Sequence, residues 1–244
     1  HSHLDHSGSI PIFYIHEKNP LYANKLTSEF NQILISDFIH LSSYYLPFEY
    51  LELRSMMRNS RHVDFGVKET IGDITFQFHN AGHIPGSAQV LIEAGGKRLL
   101  YTGDFNTVDT RLLEGAKTEY GDLDALIIES TYANEDHPER LELEKRFVDE
   151  VTEVVEMGGT VLVPAFGVGR SQEIACVFAA HHFEHPVFLD GMAREATRVM
   201  MNYSQFLRNP ELFMNALHSV DWVEGWRDRR KTTKTPGAII SPAG

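Results

Sequence analysis

The first six residues of the chain, HSHLDH, concentrate side chains that bind divalent metals. His1 and His3 are separated by one residue, which lets both rings point the same way at a strand end or in a tight loop. Asp5 and His6 follow directly. A divalent ion such as zinc takes about four ligands in a tetrahedral array, for which imidazole and carboxylate groups are suitable. The segment therefore predicts part of a metal centre, completed by donors from elsewhere in the chain.

Two later turns supply the best additional donors. His83 lies in the turn AGHIPGS, and Asp104 follows the apolar segment RLLYT in the sequence GDF. Both occupy loops at predicted strand ends, where a rigid sheet commonly holds functional residues. Together with the opening motif they bring the candidate donors to six, namely His1, His3, Asp5, His6, His83 and Asp104.

The composition limits which chemistry this metal centre can use. Cys176 is the only cysteine, which excludes an internal disulfide and a thiolate cluster and favours a reducing compartment such as the cytoplasm. Any metal must therefore be bound by His, Asp and Glu, and the chain has 13 histidines. The net charge of −12 gives no overall basic character, so nucleic-acid binding requires a local site. The apolar runs are too short to cross a bilayer.

The first part of the chain reads as one helix and several strands that position these donors. Apolar residues at helical spacing predict a helix over 26–46, and alternation predicts a strand over 71–79. The segment AQVLIEAGGKRLLYTGDF predicts a hairpin that turns at Gly95 and Gly96. Residues 123–130, LDALIIES, form a continuous apolar run, which predicts a central strand buried on both faces.

The second part alternates between helices and strands. Pro138 can open a helix that Gly158 and Gly159 close. Strands are predicted over 160–166 and 186–190, and further helices over 171–180 and 192–203. This alternation is typical of parallel βαβ units. We therefore predict an α/β protein with a boundary near Asn134, giving domains 1–134 and 135–244.

The motifs together resemble a known family. The pattern HxHxDH, a later histidine in a glycine-rich turn and an aspartate that ends a strand are similar to the metallo-β-lactamase fold. The segments IIESTYANEDHPER, VLVPAFGVGRSQEI and FLDGMA resemble its β-CASP branch of RNA- and DNA-processing nucleases, most closely the archaeal and cleavage-factor-like members. The likeness covers essentially the whole chain. It implies a partial metallo-β-lactamase αββα sandwich followed by a partial β-CASP βαβ domain.

The resemblance also implies a ligand set for two zinc ions. His1, His3 and His83 are the implied ligands of the first ion. Asp5 and His6 are the implied ligands of the second ion, and Asp104 bridges both. Two such ions would activate water for attack on a phosphodiester. Asp5 is the implied base or orienting group for that water. Glu129 is implied to support a catalytic histidine.

Neither that histidine nor the last ligand of the second zinc is in this sequence. In the family both lie beyond a segment resembling the closing SPAG, and further strands precede HxHxDH. We therefore expect a fragment of a longer ribonuclease that lacks both ends. By itself it is expected to hold at most one ion tightly and to have little or no nuclease activity.

The implied partner is RNA, with single-stranded DNA left open, no membrane association, and a homodimer or a processing complex both open. Two alternatives stand beside the ribonuclease. One is a non-catalytic β-CASP subunit that binds RNA or proteins, which the intact HxHxDH disfavours. The other is a small-molecule metallo-hydrolase of the wider fold, which the ESTY and PAFGVGR segments disfavour.

Several other features have a structural and a functional explanation. The basic cluster at positions 227–234, near Trp222 and Trp226, is either a solvated loop or an RNA contact. The glycines of GVGR are either a structural turn or a phosphate contact. The histidines of HHFEH indicate a solvated helix end, and His79 is either a core residue or a partner of a metal ligand.

Overall fold

The computed structural model describes residues 1–42 and 44–242 as an α/β protein. The chain forms two compact units: the first comprises His1–Asp109 and Gly115–Glu129, and the second comprises Thr110–Glu114 and the described residues from Ser130 onward. The last two residues of the predicted SPAG segment lie outside the described residues. None of the helices described is both long and apolar enough to cross a membrane.

The helices and strands of the described residues are numbered in chain order. The α-helices are α1 (Leu4–Ser7), α2 (Lys25–Leu41), α3 (Tyr50–Arg58), α4 (Arg140–Glu156), α5 (Arg170–Ala180), α6 (Met192–Met200), α7 (Pro210–His218) and α8 (Trp226–Thr232). The strands are β1 (Leu21–Ala23), β2 (Ser60–His62), β3 (Lys68–Ile71), β4 (Ile74–Asn80), β5 (Ala88–Ala94), β6 (Lys97–Tyr101), β7 (Ala125–Ile127), β8 (Thr160–Pro164), β9 (Val187–Leu189), β10 (Val220–Trp222) and β11 (Gly237–Ser241). Short 3₁₀ helices cover Ile10–Tyr14 and Ser204–Phe206.

The first unit is built on a five-stranded sheet in the order β3-β4-β5-β6-β7. Its pairs are antiparallel except for β6 and β7, which run parallel. The predicted hairpin is present, with Gly95 and Gly96 at positive φ in the turn between β5 and β6. Phe76 and Phe78 of β4 pack with Val63 in a buried cluster on this sheet.

The predicted helix over 26–46 is shorter than expected. Asn24 caps the start of α2, where its side chain accepts a hydrogen bond from the Thr27 N–H at 2.8 Å. The helix ends at Leu41, after which Ser42 has an extended backbone. Ser43 lies outside the described residues, and the next residue, Tyr44, is 84% exposed. Because the Tyr44 ring has no surface to pack against, continuing the helix through this residue would gain little from packing.

The prediction of a central strand over 123–130 is wrong. β7 covers only Ala125–Ile127 and is the edge strand of the sheet in the described residues. Leu126 and Ile128 are each about half exposed. Among the described residues, the continuous apolar run therefore pairs with a strand on one side only.

The second unit contains a parallel sheet in the order β10-β9-β11-β8. The parallel pairing confirms the predicted βαβ character, because parallel neighbours require crossover connections. β11 lies between β9 and β8, with Ile239 in register with both Phe188 and Leu162. Neither β11 nor the helix α7 was predicted from the sequence.

A buried charge network stabilises the second unit. Glu144 of α4 and Glu173 of α5 are almost fully buried. Arg111 and Arg140 each place a guanidinium nitrogen 2.8 Å from a Glu144 carboxylate oxygen. Arg140 also pairs with Glu173, which accepts a hydrogen bond from the backbone N–H of Arg111 at 2.9 Å. The two carboxylates thereby link α4, α5 and the segment 110–114.

Candidate metal centre

The side chains predicted to bind metal come from three segments of the first unit. These are the amino-terminal HSHLDH, the turn of residues 81–87 between β4 and β5, and the segment that follows β6. Because β5 is antiparallel to both β4 and β6, the 81–87 turn and the end of β6 lie at the same edge of the sheet. The sheet topology therefore brings together residues that are distant in sequence.

The conformation of HSHLDH changes at His3. His3 has an extended backbone at the start of α1, and Asp5 and His6 lie within that single-turn helix. The buried hydroxyl of Ser7 donates hydrogen bonds to the carbonyl oxygens of Ser2 at 3.0 Å and of His3 at 3.1 Å. Ser7 thus fixes the extended and helical parts of the motif relative to each other.

A network of backbone contacts fixes the turn that carries His83. The buried Oγ of Ser87 accepts hydrogen bonds from the backbone N–H groups of His83 at 3.1 Å and Ile84 at 3.2 Å. Gly86 has φ +81°, and its carbonyl oxygen accepts hydrogen bonds from the side chains of Asn24 and Thr27. The amino terminus of α2 therefore anchors the turn.

The segment carrying Asp104 is attached to the same turn. Thr102 donates its N–H to the carbonyl oxygen of Ile127 at 3.0 Å, which extends the β6–β7 pairing by one residue. Beyond Asp104, the N–H of Asn106 donates to the carbonyl oxygen of Ala81 at 2.8 Å. These bonds hold Asp104 beside the His83 turn.

Four of the predicted ligands form one compact cluster. His1, His3, His83 and Asp104 each offer a donor atom, and these atoms lie within 4.8 Å of one another. Nε2 of His83 lies 3.3 Å from Nδ1 of His3 and 3.5 Å from Oδ2 of Asp104. Nε2 of His1 lies 3.5 Å from the same Asp104 oxygen. These three contacts have the separation expected between neighbouring donors of one ion.

The distances between the donor atoms agree with those around a tetrahedral zinc ion. Bonds of about 2.0 to 2.2 Å in a tetrahedral array place neighbouring zinc donors about 3.3 to 3.6 Å apart. The contacts of His83 with His3 and of His83 and His1 with Asp104 span 3.3 to 3.5 Å. Nε2 of His1 is also buried and forms no hydrogen bond with any of the residues that the structure describes. The donor set therefore fits a divalent ion with nitrogen and oxygen ligands.

His6 and Asp5 form a second group at the other oxygen of Asp104. Nε2 of His6 lies 3.3 Å from Oδ1 of Asp104 and 3.6 Å from Oδ2 of Asp5. The ring centroids of His6 and His1 are 4.1 Å apart, so the two groups adjoin. Asp104 presents Oδ2 to the first group and Oδ1 to His6, an arrangement suited to a bridging carboxylate. The Asp5 side chain is 76% exposed and lies at the solvent side of the cluster.

Burial favours the neutral form of the His3 imidazole. Burial lowers the pKa of His3 below its ordinary value of 6.5, although the carboxylates of Asp5 and Asp104 oppose this effect. A neutral ring keeps the lone pair that a metal ligand must provide. The carboxylate of Asp104 supplies negative charge next to this nitrogen-rich group.

Glu129 and His79 have different positions. Glu129 follows β7, the parallel neighbour of β6, and so lies at the strand ends from which Asp104 also emerges. Its predicted role in catalysis stays a prediction. His79 is buried, with its ring 5.2 Å from that of Tyr120, and burial lowers its pKa. His79 does not belong to the four-residue cluster.

The residues that position the predicted ligands were not predicted from the sequence. Ser7, Asn24, Thr27 and Ser87 have buried side chains that bind the backbone of the two ligand-bearing segments. One of them had a recognisable signal: the serine of HIPGS follows a glycine in a turn, where serine side chains commonly bind nearby backbone groups. Asn24 and Thr27 are distant in sequence and gave no such signal.

Comparison with known proteins identifies similar sequences. Residues 1–136 match the model of the metallo-beta-lactamase superfamily. The chain is 40% identical over its whole length to RNase aCSPSF2 of Saccharolobus solfataricus, and it covers 50% of that protein. It is 34% identical to Probable RNase MJ4 of Methanocaldococcus jannaschii, of which it covers 60%. Over 91% of its length it is 36% identical to Transcription termination factor FttA of the same organism, covering 37% of that protein.

The chain thus spans about half the length of the curated relatives RNase aCSPSF2 and Probable RNase MJ4. The family match includes HSHLDH, the His83 turn and Asp104, which are the three segments of the cluster.

Proposed function

Because the chain belongs to the metallo-beta-lactamase superfamily, we propose that it forms part of a zinc-dependent ribonuclease that hydrolyses RNA phosphodiester bonds. The four-residue cluster of His1, His3, His83 and Asp104 carries this proposal. The RNA substrate is supported by relatives named RNase, and the β-CASP resemblance of the ESTY and PAFGVGR segments agrees with it.

The proposal assigns a part to each residue of the cluster. His1, His3, His83 and Asp104 would hold one zinc ion, and Asp104 would be shared with a second ion beside His6 and Asp5. When bound, such ions polarise a phosphoryl oxygen and lower the pKa of water towards about 7.

Asp5 is suited to hold or accept the proton of the attacking water, because its carboxylate is exposed beside His6. Glu129, which follows the adjacent strand β7, is proposed to support a catalytic histidine. The buried thiol of Cys176 is consistent with a cytoplasmic location, which stays a prediction.

The test is cleavage of end-labelled single-stranded RNA by the native protein to which this chain belongs, with zinc or manganese and with a chelator. We expect metal-dependent cleavage that falls by about 100-fold or more when Asp5 is replaced by alanine, as for loss of a general base. An Asp73→Asn variant, altered at an exposed turn between β3 and β4, is the control.

Equal rates for the Asp5→Ala protein and the unaltered protein would overturn the catalytic proposal and favour a non-catalytic RNA-binding subunit. Hydrolysis of a thioester substrate without RNA cleavage would instead favour the small-molecule hydrolase.

A further inference from the structure

An exposed basic surface in the second unit is not explained by the metal centre. Positions 226–234, WRDRRKTTK, contain five cationic side chains and one carboxylate, in a chain with a net charge of −12. They form α8 and the turn that follows it. Five exposed residues of this segment define what we call the basic helix surface: Trp226, Arg227, Arg230, Lys231 and Lys234.

The rest of the segment fixes the helix to the second unit. The Arg229 guanidinium binds both carboxylate oxygens of Asp190, at 2.8 and 3.1 Å. Thr232 is buried, and its hydroxyl donates to the carbonyl oxygen of Asp228 at 2.9 Å. The Asp228 carboxylate accepts the N–H of Glu224 at 3.1 Å. The helix is therefore held by residues that do not belong to the basic helix surface.

The basic helix surface itself has no comparable use within the fold. The ion pairs of this region engage Arg194, Arg198 and Arg229. Among the described residues, no carboxylate pairs with any cation of the basic helix surface. These charges are held close together at an energetic cost, since like charges repel. Their clustering suits an anionic partner.

Trp226 adds an aromatic contact to this cluster. Its side chain is 67% exposed, which is unusual for the largest apolar side chain. The Arg230 guanidinium lies 5.1 Å from the ring centroid, as expected for residues at i and i+4 of one helix. An exposed indole beside cations offers a stacking surface for a base and neutralising charge for phosphates.

We propose that the basic helix surface binds single-stranded RNA, with one base stacked on Trp226 and the phosphates beside the four cations. Proteins that bind single strands combine these two elements, because every base has a stacking face and every linkage carries a charge. In duplex RNA the bases are already stacked and their faces are covered. The choice of RNA rests on the proposed function.

The first experiment measures RNA binding by fluorescence anisotropy, in chelator and with the Asp104→Asn chain, so that the RNA is not cleaved. The probe is a labelled, unstructured RNA of about 16 nucleotides, long enough for one such site. We expect Trp226→Ala to weaken binding by about 5-fold or more and Trp226→Phe to retain most of it. A duplex of the same length should bind more weakly and respond little to Trp226→Ala.

The charge contribution is tested separately. Replacing Arg227, Arg230 and Lys231 together by alanine should reduce the magnitude of the slope of log affinity against log salt by about 2. Each phosphate contact on a single strand contributes about 0.7 to that slope, and three contacts are lost. The control replaces three exposed cations elsewhere, at Arg54, Arg58 and Lys145, and should leave that slope nearly unchanged.

Tryptophan fluorescence reports on stacking directly. The chain has two tryptophans, so in Trp222→Phe the remaining signal comes from Trp226. We expect RNA to quench this signal over the same concentrations that raise the anisotropy. Absence of quenching, or unchanged binding by both Trp226→Ala and the triple variant, would overturn the inference even if the native protein cleaves RNA. Trp226-dependent binding without cleavage by the native protein would support the inference and remove the proposed catalytic function.

Discussion

Oδ2 of Asp104 lies 3.5 Å from Nε2 of His83, although the two residues belong to different turns of the first unit. The turn before β5 lies at the sheet edge where β6 ends, because β5 is antiparallel to both of its neighbours. The hydrogen bond from Asn106 N–H to the Ala81 carbonyl oxygen then fixes one turn against the other. The carboxylate is therefore held against the imidazole by the backbone.

This arrangement predicts that Asp104→Asn lowers the affinity of the chain for zinc by more than about 100-fold. Loss of a partner that only supports a ligand typically costs about 10- to 100-fold, and the Asp104 carboxylate is itself a proposed ligand with negative charge. Competition with a chromophoric chelator measures the affinity. Asp73→Asn, which changes an exposed carboxylate to the same amide, should bind zinc as the unaltered chain does. Equal affinities for the two variants would contradict the assignment.

The donor count predicts one tightly bound zinc ion per chain. The four-residue cluster satisfies a tetrahedral ion, whereas Asp5, His6 and the shared Asp104 supply too few donors for a second closed site in the described residues. Elemental analysis after dialysis against metal-free buffer should give about one zinc per chain, as expected for one filled four-ligand site. His3→Ala should reduce this value. His218→Ala, which alters an exposed histidine outside the cluster, is the control and should not. Two retained ions would require a ligand outside the proposed set.

The residues proposed as ligands have local signatures in the sequence, whereas the residues that hold them in place do not. HxHxDH, the His83 turn and the strand-ending Asp104 each had a local signature, and the family match confirms the predicted metallo-β-lactamase resemblance. Residues such as Asn24 and Thr27 lie far from the His83 turn in sequence and reach it only because α2 packs there. No local pattern can indicate such contacts.

The errors in the fold have a similar origin. The apolar run around β7 has the composition of a buried strand, but burial depends on which neighbours pair with it, and composition does not specify the neighbours. His181 is another example, because the sequence predicts a solvated helix end. In the structure its Nε2 lies 3.2 Å from a carboxylate oxygen of the buried Glu144. Glu144 belongs to a different helix, α4, so the local sequence around His181 does not indicate this contact.

The Ser87 hydroxyl is predicted to be needed for metal affinity although it is not a ligand. Ser87→Ala leaves the part-buried N–H of His83 and the buried N–H of Ile84 without their acceptor, which should loosen the turn and weaken zinc binding by about 10-fold. The cost in stability should be about 1 to 3 kcal/mol. Ser219→Ala, which removes an exposed hydroxyl that donates to a helix carbonyl, should change neither quantity much. Chelator competition and urea unfolding measure the two effects, and unchanged zinc affinity would refute the role.

Gly86 is predicted to be irreplaceable by alanine for two reasons. Its φ of +81° disfavours any L side chain, and an added Cβ would lie 2.9 Å from Asn24 Oδ1 and 3.0 Å from Thr27 Oγ1. Gly66 is a matched control, since its φ is +79° but its Cβ would meet no atom within 4 Å. Both alanine variants should lose about 1 to 2 kcal/mol from backbone strain. Gly86→Ala should lose about 1 kcal/mol or more in addition, because it displaces buried groups. Similar losses in urea unfolding would show that the close packing is unimportant.

The buried Glu144 predicts a pH dependence of stability. Burial alone raises the pKa of its carboxyl, but hydrogen bonds from Arg111 and His181, together with the positive charges of Arg111 and Arg140, outweigh burial and bring the pKa below its ordinary value of 4.5. A carboxyl with a lowered pKa in the folded state stabilises the fold above its unfolded pKa, and this contribution is lost as the pH falls through the folded pKa. The unaltered chain, kept free of metal with a chelator, should therefore lose free energy of unfolding as the pH is lowered below about 4.5.

The Glu144→Gln chain should be less stable at pH 7 by about 2 kcal/mol or more, because charge-assisted hydrogen bonds are lost. Its stability should also fall less steeply in the acid range, so the two curves should converge as the pH is lowered. Glu150→Gln is the control, because it removes an exposed carboxylate paired with Arg146 on the same helix, where a pair contributes at most about 1 kcal/mol. Urea unfolding followed by circular dichroism at a series of pH values measures all three chains. Parallel curves for the Glu144→Gln and unaltered chains would mean that the buried carboxylate does not titrate with unfolding.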